Sequence, residues 1–399
     1  MAVVALAGCV GEGSTDRTVE LTDTTIDDVD VTVEPSTAAA TVTSGPHRGD
    51  AAAAEFTRGL FADLRGDDPG CTVAVGRGGA VVFAEAYGAA RLDPFAPMTV
   101  DTVVDIGSVA KQFTATAILL LAERGEIDLD APLSTYLPDL SAWASQTTVA
   151  QLIHHDSGIP DYIDLLVERG FVVTGSSPTI ADALAALRDV HDLDFAPRKR
   201  WEYANSNYFL LSQVVLAVTG DDLGAFLTAE VFEPLGLDMV MDPIAAIEGK
   251  AVSYQDAGGK WRVADSRWEP TIGAGSIQTT PSQLVAWATQ YWEPTIGATT
   301  INAERFEAAV DAPVVANVEG GMRYGAGMFE LDVGGDVGRM LTHDGQWGGF
   351  VTVFSVAPAH RVAVAVTCTS PQRVEATQQD ARPRGSARPL DRQQLKPHP

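Results

Sequence analysis

The sequence predicts an α/β fold of the α+β type, in which strands from both ends of the chain form one sheet around an inserted helical region. Two observations support this prediction. Runs rich in β-branched residues, bounded by turn residues, occur near both ends of the 399 residues. Apolar residues at helical spacing dominate the part of the chain between them. Strands that are far apart in sequence must therefore pair.

The N-terminal part of this fold is predicted to start with a helix over Ala51–Leu64, whose apolar face includes Phe56. Strands follow at Cys71–Val75 and Ala80–Tyr87, and the Gly-Gly pair at 78–79 supplies the turn between them. These two strands form the first half of the predicted sheet.

The C-terminal part contributes three more predicted strands, at Arg339–Thr342, Phe350–Val356 and Val362–Cys368. The inserted region runs from Asp130 to about Gly320 and shows helical apolar spacing at Ile180–Leu187, Tyr208–Val218 and Leu284–Trp292. This order of elements predicts one sheet, built from strands at both ends of the chain, and one helical insertion between them.

The composition limits the classes of function. The net charge of −26 argues against a nucleic-acid partner, because a phosphate backbone would be repelled. No uninterrupted apolar segment approaches the roughly 20 residues that a membrane-spanning helix needs. With 46% apolar residues, the chain can bury one large core or two modest ones.

The first residues resemble a processed lipoprotein signal. Leu6–Cys9 has the form of a bacterial lipobox, which predicts a truncated signal over 1–9 and lipidation of Cys9, although a basic n-region is missing. An accidental match is the alternative. Residues 10–50 are predicted to be an acidic disordered linker, since Glu12–Glu34 holds eight acids and one base. Any membrane association is expected only through this lipid anchor.

Ser108 and Lys111 form the strongest local motif. They stand three residues apart at the start of the apolar run Phe113–Leu121, in a helix predicted to end near Gly125. Residues at this spacing share a helix face, so the lysine amine can reach the serine hydroxyl. Serine needs a neighbouring base to act as a nucleophile, and a lysine whose pKa is lowered by burial can be that base.

Two downstream elements complete a constellation: Tyr203-Ala204-Asn205 and His343-Asp344-Gly345. Together with Ser108 and Lys111, in this order, they resemble the serine β-lactamase-related family of class C β-lactamases, D-alanyl-D-alanine carboxypeptidases, D-aminopeptidases and esterases. The likeness runs from about Cys71 to Cys368 and includes Leu152–Tyr162, Phe232–Leu237, Gly273–Leu284 and Tyr324–Met328.

The resemblance implies a β-lactamase/penicillin-binding-protein-like transpeptidase fold with an antiparallel five-stranded sheet, here as a serine hydrolase domain over 51–370. It implies a small-molecule or peptide substrate. No cofactor or metal is expected, because no two histidines stand four residues apart with a carboxylate between them. His154 and His155, which lie in one of the matching segments, are interpreted as structural.

The resemblance also assigns roles to single residues. Ser108 is the predicted nucleophile, and Lys111 and Tyr203 share the proton transfers, with the phenolate of Tyr203 requiring a nearby cation. Asn205 is expected to hold Lys111 and a substrate carbonyl through hydrogen bonds. The oxyanion hole is expected to consist of the backbone N–H groups of Ser108 and Gln346.

His343 and Gly345 are the remaining predicted substrate-binding or orienting residues. True β-lactamases carry lysine or arginine at the position of His343. A histidine is mostly neutral at pH 7, with Asp344 able to raise its pKa, so we expect anionic substrates to be captured poorly until it is protonated below pH 6. The predicted function is an esterase or a D-amino-acid peptidase or carboxypeptidase. A β-lactamase, a non-turnover penicillin-binding sensor and an inactive remnant are the alternatives.

Three features concern export and the chain ends. In the family's fold the strands of Cys71 and Cys368 are antiparallel neighbours, which permits a disulfide, and two separate buried thiols are the alternative. An exported protein, either a cell-surface lipoprotein or extracellular, fits a disulfide. Residues 371–399 replace the family's usual final helix and are predicted to be a disordered basic tail, or the product of a shifted reading frame.

Overall fold

A computed structural model describes residues 48–297, 310–311 and 322–371 of the chain. The predicted signal with Cys9 lies outside the described residues. So do the linker up to residue 47 and the tail beyond residue 371. The boundaries assigned to these segments therefore stay predictions.

The described strands are β1 Cys71–Arg77, β2 Ala80–Tyr87, β3 Ala89–Leu92, β4 Phe95–Pro97, β5 Val104–Asp105, β6 Val240–Met241, β7 Tyr254–Asp256, β8 Trp261–Val263, β9 Ile277–Thr279, β10 Val310–Asp311, β11 Met322–Tyr324, β12 Phe329–Asp332, β13 Arg339–Trp347, β14 Phe350–Ala357 and β15 Val362–Cys368. The described helices are α1 Arg48–Leu60, α2 Lys111–Glu123, α3 Val149–His154, α4 Tyr162–Glu168, α5 Ile180–Arg188, α6 Asn205–Thr219, α7 Leu223–Leu227, α8 Glu233–Leu235 and α9 Pro281–Trp287. A 3₁₀ turn at Gly107–Ala110, the nucleophile turn, leads into α2.

The main sheet is antiparallel and has the strand order β10-β11-β12-β13-β14-β15-β1-β2. The five strands predicted from the sequence form the contiguous block from β13 to β2, which confirms a sheet built from both ends of the chain. The sheet is nevertheless larger than the predicted five strands, because β10, β11 and β12 extend it beyond β13. These three strands span two to four residues each, too few for a period-two pattern to be recognised.

Strands from the N-terminal and C-terminal parts of the chain meet between β15 and β1, one strand in from the β2 edge of this sheet. Cys71 lies directly opposite Cys368 in the β1–β15 ladder, and the two are joined in a disulfide. Phe61, the residue that follows α1, packs on this face and stacks on Tyr87 with ring centroids 4.6 Å apart. The predicted apolar face of α1 was wrong at Phe56, which is 48% exposed, whereas Ala54 and Thr57 of the same helix are buried.

The opposite face of the sheet is covered by α9, which contacts β1, β2 and β15. The approach of α9 is close enough that a Cβ at Gly76 in β1 would lie 2.1 Å from the Val285 side chain. Helix α2 is buried along its whole length from Lys111 to Leu121. The nucleophile turn thus opens into the most enclosed helix of the fold, and Lys111 is fully buried.

Candidate active site

The nucleophile turn has a backbone shape that only glycine adopts easily. Gly107 has φ +53°, and its N–H donates a 2.8 Å hydrogen bond to Oδ1 of the buried Asp105. The other oxygen of that carboxylate accepts from Gln278 Nε2 at 2.9 Å, which ties the turn to β9. Ser108 is therefore presented on a fixed turn at the start of α2.

A close backbone approach joins this turn to β13. A Cβ on Gly345 would lie 2.0 Å from the Ile106 carbonyl oxygen and 2.9 Å from the Ser108 nitrogen. A Cβ on Gly107 would lie 2.7 Å from the Gln346 nitrogen. Both glycines thus allow the backbone N–H groups of Ser108 and Gln346 to come together, as an oxyanion hole requires. In this arrangement Gly345 acts through backbone packing.

The Lys111 amine is held by three oxygen atoms. Its Nζ lies 2.9 Å from Asn205 Oδ1 and 2.7 Å from the Ala274 carbonyl oxygen, both of which can only accept hydrogen bonds. The third contact, at 3.0 Å, is to Ser108 Oγ. A neutral amine has two N–H donors and one lone pair. With both donors directed to the two carbonyl-type oxygens, the lone pair is left to accept the Ser108 proton.

Burial also sets the charge of this lysine. Loss of hydration lowers the pKa of Lys111 to about 7, although Asp161 and Asp344 act in the opposite direction. An amine with this pKa is substantially unprotonated at neutral pH. Lys111 therefore has both the geometry and the protonation state of a general base.

Tyr203 lies beside the same two groups. Its hydroxyl is hydrogen-bonded to Ser108, and the Lys111 Nζ is 4.8 Å from the centre of its ring. Desolvation raises the pKa of Tyr203 well above 10, and the field of Asp344 adds to this. The raised pKa disfavours a phenolate at Tyr203, and the shared role of Lys111 and Tyr203 in proton transfer stays a prediction. A neutral phenol next to Ser108 is suited to passing a proton towards a leaving group.

We expect Tyr203→Phe to slow hydrolysis by about two orders of magnitude, because a positioned proton donor typically contributes about 10²–10⁴-fold. The loss is expected to be larger for amides than for esters with good leaving groups, which need less protonation. Steady-state rates for one amide and one activated ester measure this. Near-normal rates on both substrates would remove Tyr203 from proton transfer.

Asn205 is oriented by a carboxylate that the sequence analysis did not assign. Asp161 Oδ2 accepts the Asn205 backbone N–H at 2.7 Å and its Nδ2 at 2.9 Å. This fixes the amide so that Oδ1 faces Lys111. Asp161 also caps α4 by accepting the Ile163 N–H. The Pro-Asp sequence ahead of an apolar helix signals such a cap, but its contact with Asn205 cannot be read from the sequence.

His343 is the first residue of β13 beyond its pairing with β12, remains paired with Phe354 of β14, and is 2% exposed. Its Nδ1–H donates to the Asp344 carbonyl oxygen, and its Nε2 is 3.4 Å from the Tyr324 hydroxyl. Burial, with the field of Lys111, lowers the pKa of His343 to about 3. The expectation that this residue gains charge below pH 6 is therefore wrong. It is neutral across the physiological range.

His155 belongs to an aromatic cluster beneath the site. Its ring lies 4.3 Å from that of Tyr203 and 4.8 Å from that of Tyr324, measured between centroids. Its Nδ1 accepts hydrogen bonds from the Ala204 N–H at 3.3 Å and from Asn207 Nδ2 at 2.9 Å. These contacts fix the segment that carries Tyr203, which agrees with the structural role expected for His155. The neighbouring His154 is also buried.

The described residues also bear on metal binding and on membrane insertion. Within residues 48–297, 310–311 and 322–371, no group of three histidine, cysteine or acidic side chains could hold a metal ion. In the same ranges no single helix is long and apolar enough to cross a membrane. The bent pair Asn205–Thr219 and Leu223–Leu235 passes that test of length and composition when the two are taken together.

Fold and site together define a protein of the serine penicillin-binding and β-lactamase class. Residues 53–388 match the Beta-lactamase family, and the chain belongs to this family. The resemblance inferred from the motifs is thereby confirmed.

Known relatives differ in activity. The chain is 28% identical over 303 residues to a D-aminopeptidase of Brucella anthropi, covering 74% of this chain and 54% of that protein. It is 31% identical over 198 residues to Esterase EstB of Burkholderia gladioli, covering 47% of this chain and 50% of that one. The chain thus spans about half the length of these two curated relatives.

A solved structure confirms the fold. The octameric penicillin-binding protein homologue from Pyrococcus abyssi superposes with a TM-score of 0.70 at 24% identity, over 82% of this chain and 75% of that one.

Proposed function

We propose that this protein is a serine hydrolase that forms an acyl-enzyme on Ser108 and cleaves esters or amides, as an esterase or a D-amino-acid peptidase or carboxypeptidase. The observation that carries the proposal is the position of the buried Lys111 amine, 3.0 Å from Ser108 Oγ with its two other contacts on carbonyl oxygens. The names of the two relatives, a D-aminopeptidase and an esterase, support the same reaction types.

The proposed reaction assigns one role to each part of the site. Lys111 accepts the Ser108 proton as Oγ attacks the substrate carbonyl, and the N–H groups of Ser108 and Gln346 stabilise the oxyanion. Tyr203 gives its proton to the departing oxygen or nitrogen as the carbonyl–leaving-group bond breaks, and the protonated Lys111 reprotonates Tyr203 and becomes neutral again. Water then attacks the acyl carbon with Lys111 as the base, and the bond to Ser108 Oγ breaks as that oxygen takes the proton back and the acid product leaves.

The experiment that tests the proposal has two stages. The protein is incubated with a fluorescent fluorophosphonate or a fluorescent β-lactam, and then assayed with a short-chain ester. Labelling of Ser108 with ester turnover supports the hydrolase. Stable labelling without turnover indicates a penicillin-binding sensor, and the absence of labelling in folded protein indicates an inactive remnant.

The pH dependence follows from the lowered pKa of Lys111. Because the unprotonated amine is the base, kcat/KM for a neutral ester is expected to rise with pH and to level off above about 7. His343, with its pKa near 3, is not expected to contribute an inflection between pH 5 and 9. A rate profile over that range measures this. A profile that is flat, or that falls as the pH rises through 7, would contradict Lys111 as the base.

Penicillins and cephalosporins are expected to be poor substrates, because the neutral His343 stands where a cation would bind their carboxylate. Opposite charges about 4 Å apart near a protein surface attract by about 4 kcal/mol before salt reduces it. We therefore expect His343→Lys to raise kcat/KM for nitrocefin about tenfold at pH 7, with a gain that decreases in high salt. Efficient nitrocefin hydrolysis by the native chain would favour a β-lactamase instead.

Export forms the last part of the proposal. The disulfide between Cys71 and Cys368 supports it, since such bonds persist in oxidising compartments. A lipid anchor on Cys9 would place the enzyme at the cell surface. Metabolic labelling with a radioactive fatty acid tests the anchor: label that is lost in Cys9→Ala supports it, and absence of label from the native chain contradicts it.

A further inference from the structure

One charged side chain at the edge of the site has no role in the steps described above. Along β13 the residues His343 and Gly345 are buried, and Asp344, between them, is exposed. The carboxylate of Asp344 interacts electrostatically with Lys111, Tyr203 and Tyr324, which places it close to the reacting groups.

Among the described strands, the part of β13 around Asp344 is paired on one side. Pairing between β12 and β13 ends at the Phe329–Thr342 pair, and β14 is the described strand that pairs with the following residues of β13. The same part of β13 brings the Gln346 nitrogen to the nucleophile turn. A substrate whose carbonyl oxygen enters the oxyanion hole must therefore pass along the segment that carries Asp344.

The charges near this edge leave the carboxylate without a fixed positive partner. His343 is neutral, and the Lys111 amine already uses its contacts on Ser108, Asn205 and Ala274. Within the described residues, Asp344 makes no ion pair with a lysine, arginine or histidine side chain. The other carboxylate near the reacting groups, Asp161, is buried and bound to Asn205.

We propose that Asp344 binds a positively charged group of the substrate, so that this site prefers esters and amides that carry an ammonium group near the scissile bond. This proposal rests on the hydrolase function proposed above and names its substrate class. The net charge of −26 acts in the same direction, because an acidic surface raises the local concentration of cations.

The test compares substrates that differ in charge and little in shape. One pair places the charge on the acyl side: D-alanine p-nitroanilide and its neutral N-acetyl form. The other places it on the leaving group: acetylthiocholine and the neutral isostere 3,3-dimethylbutyl thioacetate. For each pair, the ratio of kcat/KM between the cationic and the neutral substrate is measured in native protein and in Asp344→Asn.

We expect the native protein to favour the cationic member of at least one pair, and Asp344→Asn to reduce that ratio by about two- to fivefold, the size typical of one exposed ion pair. High salt is expected to reduce the native ratio in the same direction. The matched control is Asp336→Asn, which removes the same charge from an exposed turn between β12 and β13 and is expected to leave both ratios unchanged.

Three results would overturn the proposal while leaving the hydrolase function intact. In the first, the native protein shows no preference for either cationic substrate. In the second, Asp336→Asn lowers the ratio as much as Asp344→Asn does. In the third, Asp344→Asn lowers the rates on charged and neutral substrates equally and shifts the pH profile, which would mean that this carboxylate acts through Lys111. Absence of turnover on all four substrates would instead contradict the hydrolase itself.

Discussion

Replacement of Ser108 by alanine is expected to abolish acylation and to reduce ester hydrolysis by roughly four to six orders of magnitude, as loss of a catalytic serine does elsewhere. The reason is that the variant has no atom to attack the carbonyl, although its oxyanion hole remains. The fold is expected to survive, because the hydrogen bonds of the Ser108 hydroxyl within the described residues are to Lys111 and Tyr203, and a lost hydrogen bond costs about 1 kcal/mol.

Fluorophosphonate labelling and ester turnover measure the loss, and thermal unfolding checks the fold. Gly59 in the exposed part of α1 offers a control, since a Cβ there meets nothing within 4 Å. Gly59→Ala is expected to retain full labelling. Full esterase activity in Ser108→Ala would exclude Ser108 as the nucleophile.

Loss of Lys111 is expected to reduce the acylation rate nearly as much as loss of Ser108 does. Lys111→Arg retains the positive charge, but a guanidinium does not deprotonate in proteins and cannot accept the serine proton. Both Lys111→Arg and Lys111→Ala are therefore expected to lose roughly three to six orders of magnitude in acylation rate. If charge alone mattered, Lys111→Arg would remain active.

Two further measurements separate loss of the base from loss of the fold. A small primary amine in the buffer is expected to restore part of the rate in Lys111→Ala, because it can occupy the vacated space and accept the proton. The double variant lacking both Ser108 and Lys111 is expected to be no slower than Ser108→Ala, since the two residues act as one unit. If the rate losses of the two single variants added up in the double variant, Ser108 and Lys111 would not be acting as one catalytic unit.

Much of this architecture is predictable because its signals are local. The strands at Ala80–Tyr87 and Val362–Cys368 have the predicted bounds, since alternating or β-branched runs bounded by turns are visible within eight residues. The spacing of Ser108 and Lys111 likewise needs only one helical turn to bring the hydroxyl and the amine together. Helix α9 shows the limit of such local signals. Its apolar spacing predicted a helix, but it did not predict that this helix packs on the sheet.

Charge states were not predictable in the same way. The pKa of His343 depends on its enclosure by Tyr203, Tyr324 and Phe329, which come from separate segments of the chain. The sequence showed its neighbour Asp344, whose effect on a solvated histidine would have been to raise the pKa. Desolvation of His343 by residues from remote segments lowers its pKa, and this effect is larger than the increase expected from Asp344.

The sheet assembled from both ends of the chain determines when this protein can become active during its synthesis. The ribosome makes Ser108 early and Gln346 late, and the disulfide partners are separated by 297 residues. A nascent chain that ends within the helical insertion therefore has a nucleophile but lacks half of its oxyanion hole. The proposed hydrolase activity therefore requires β13, and a chain that ends before this strand is expected to be inactive towards esters and amides.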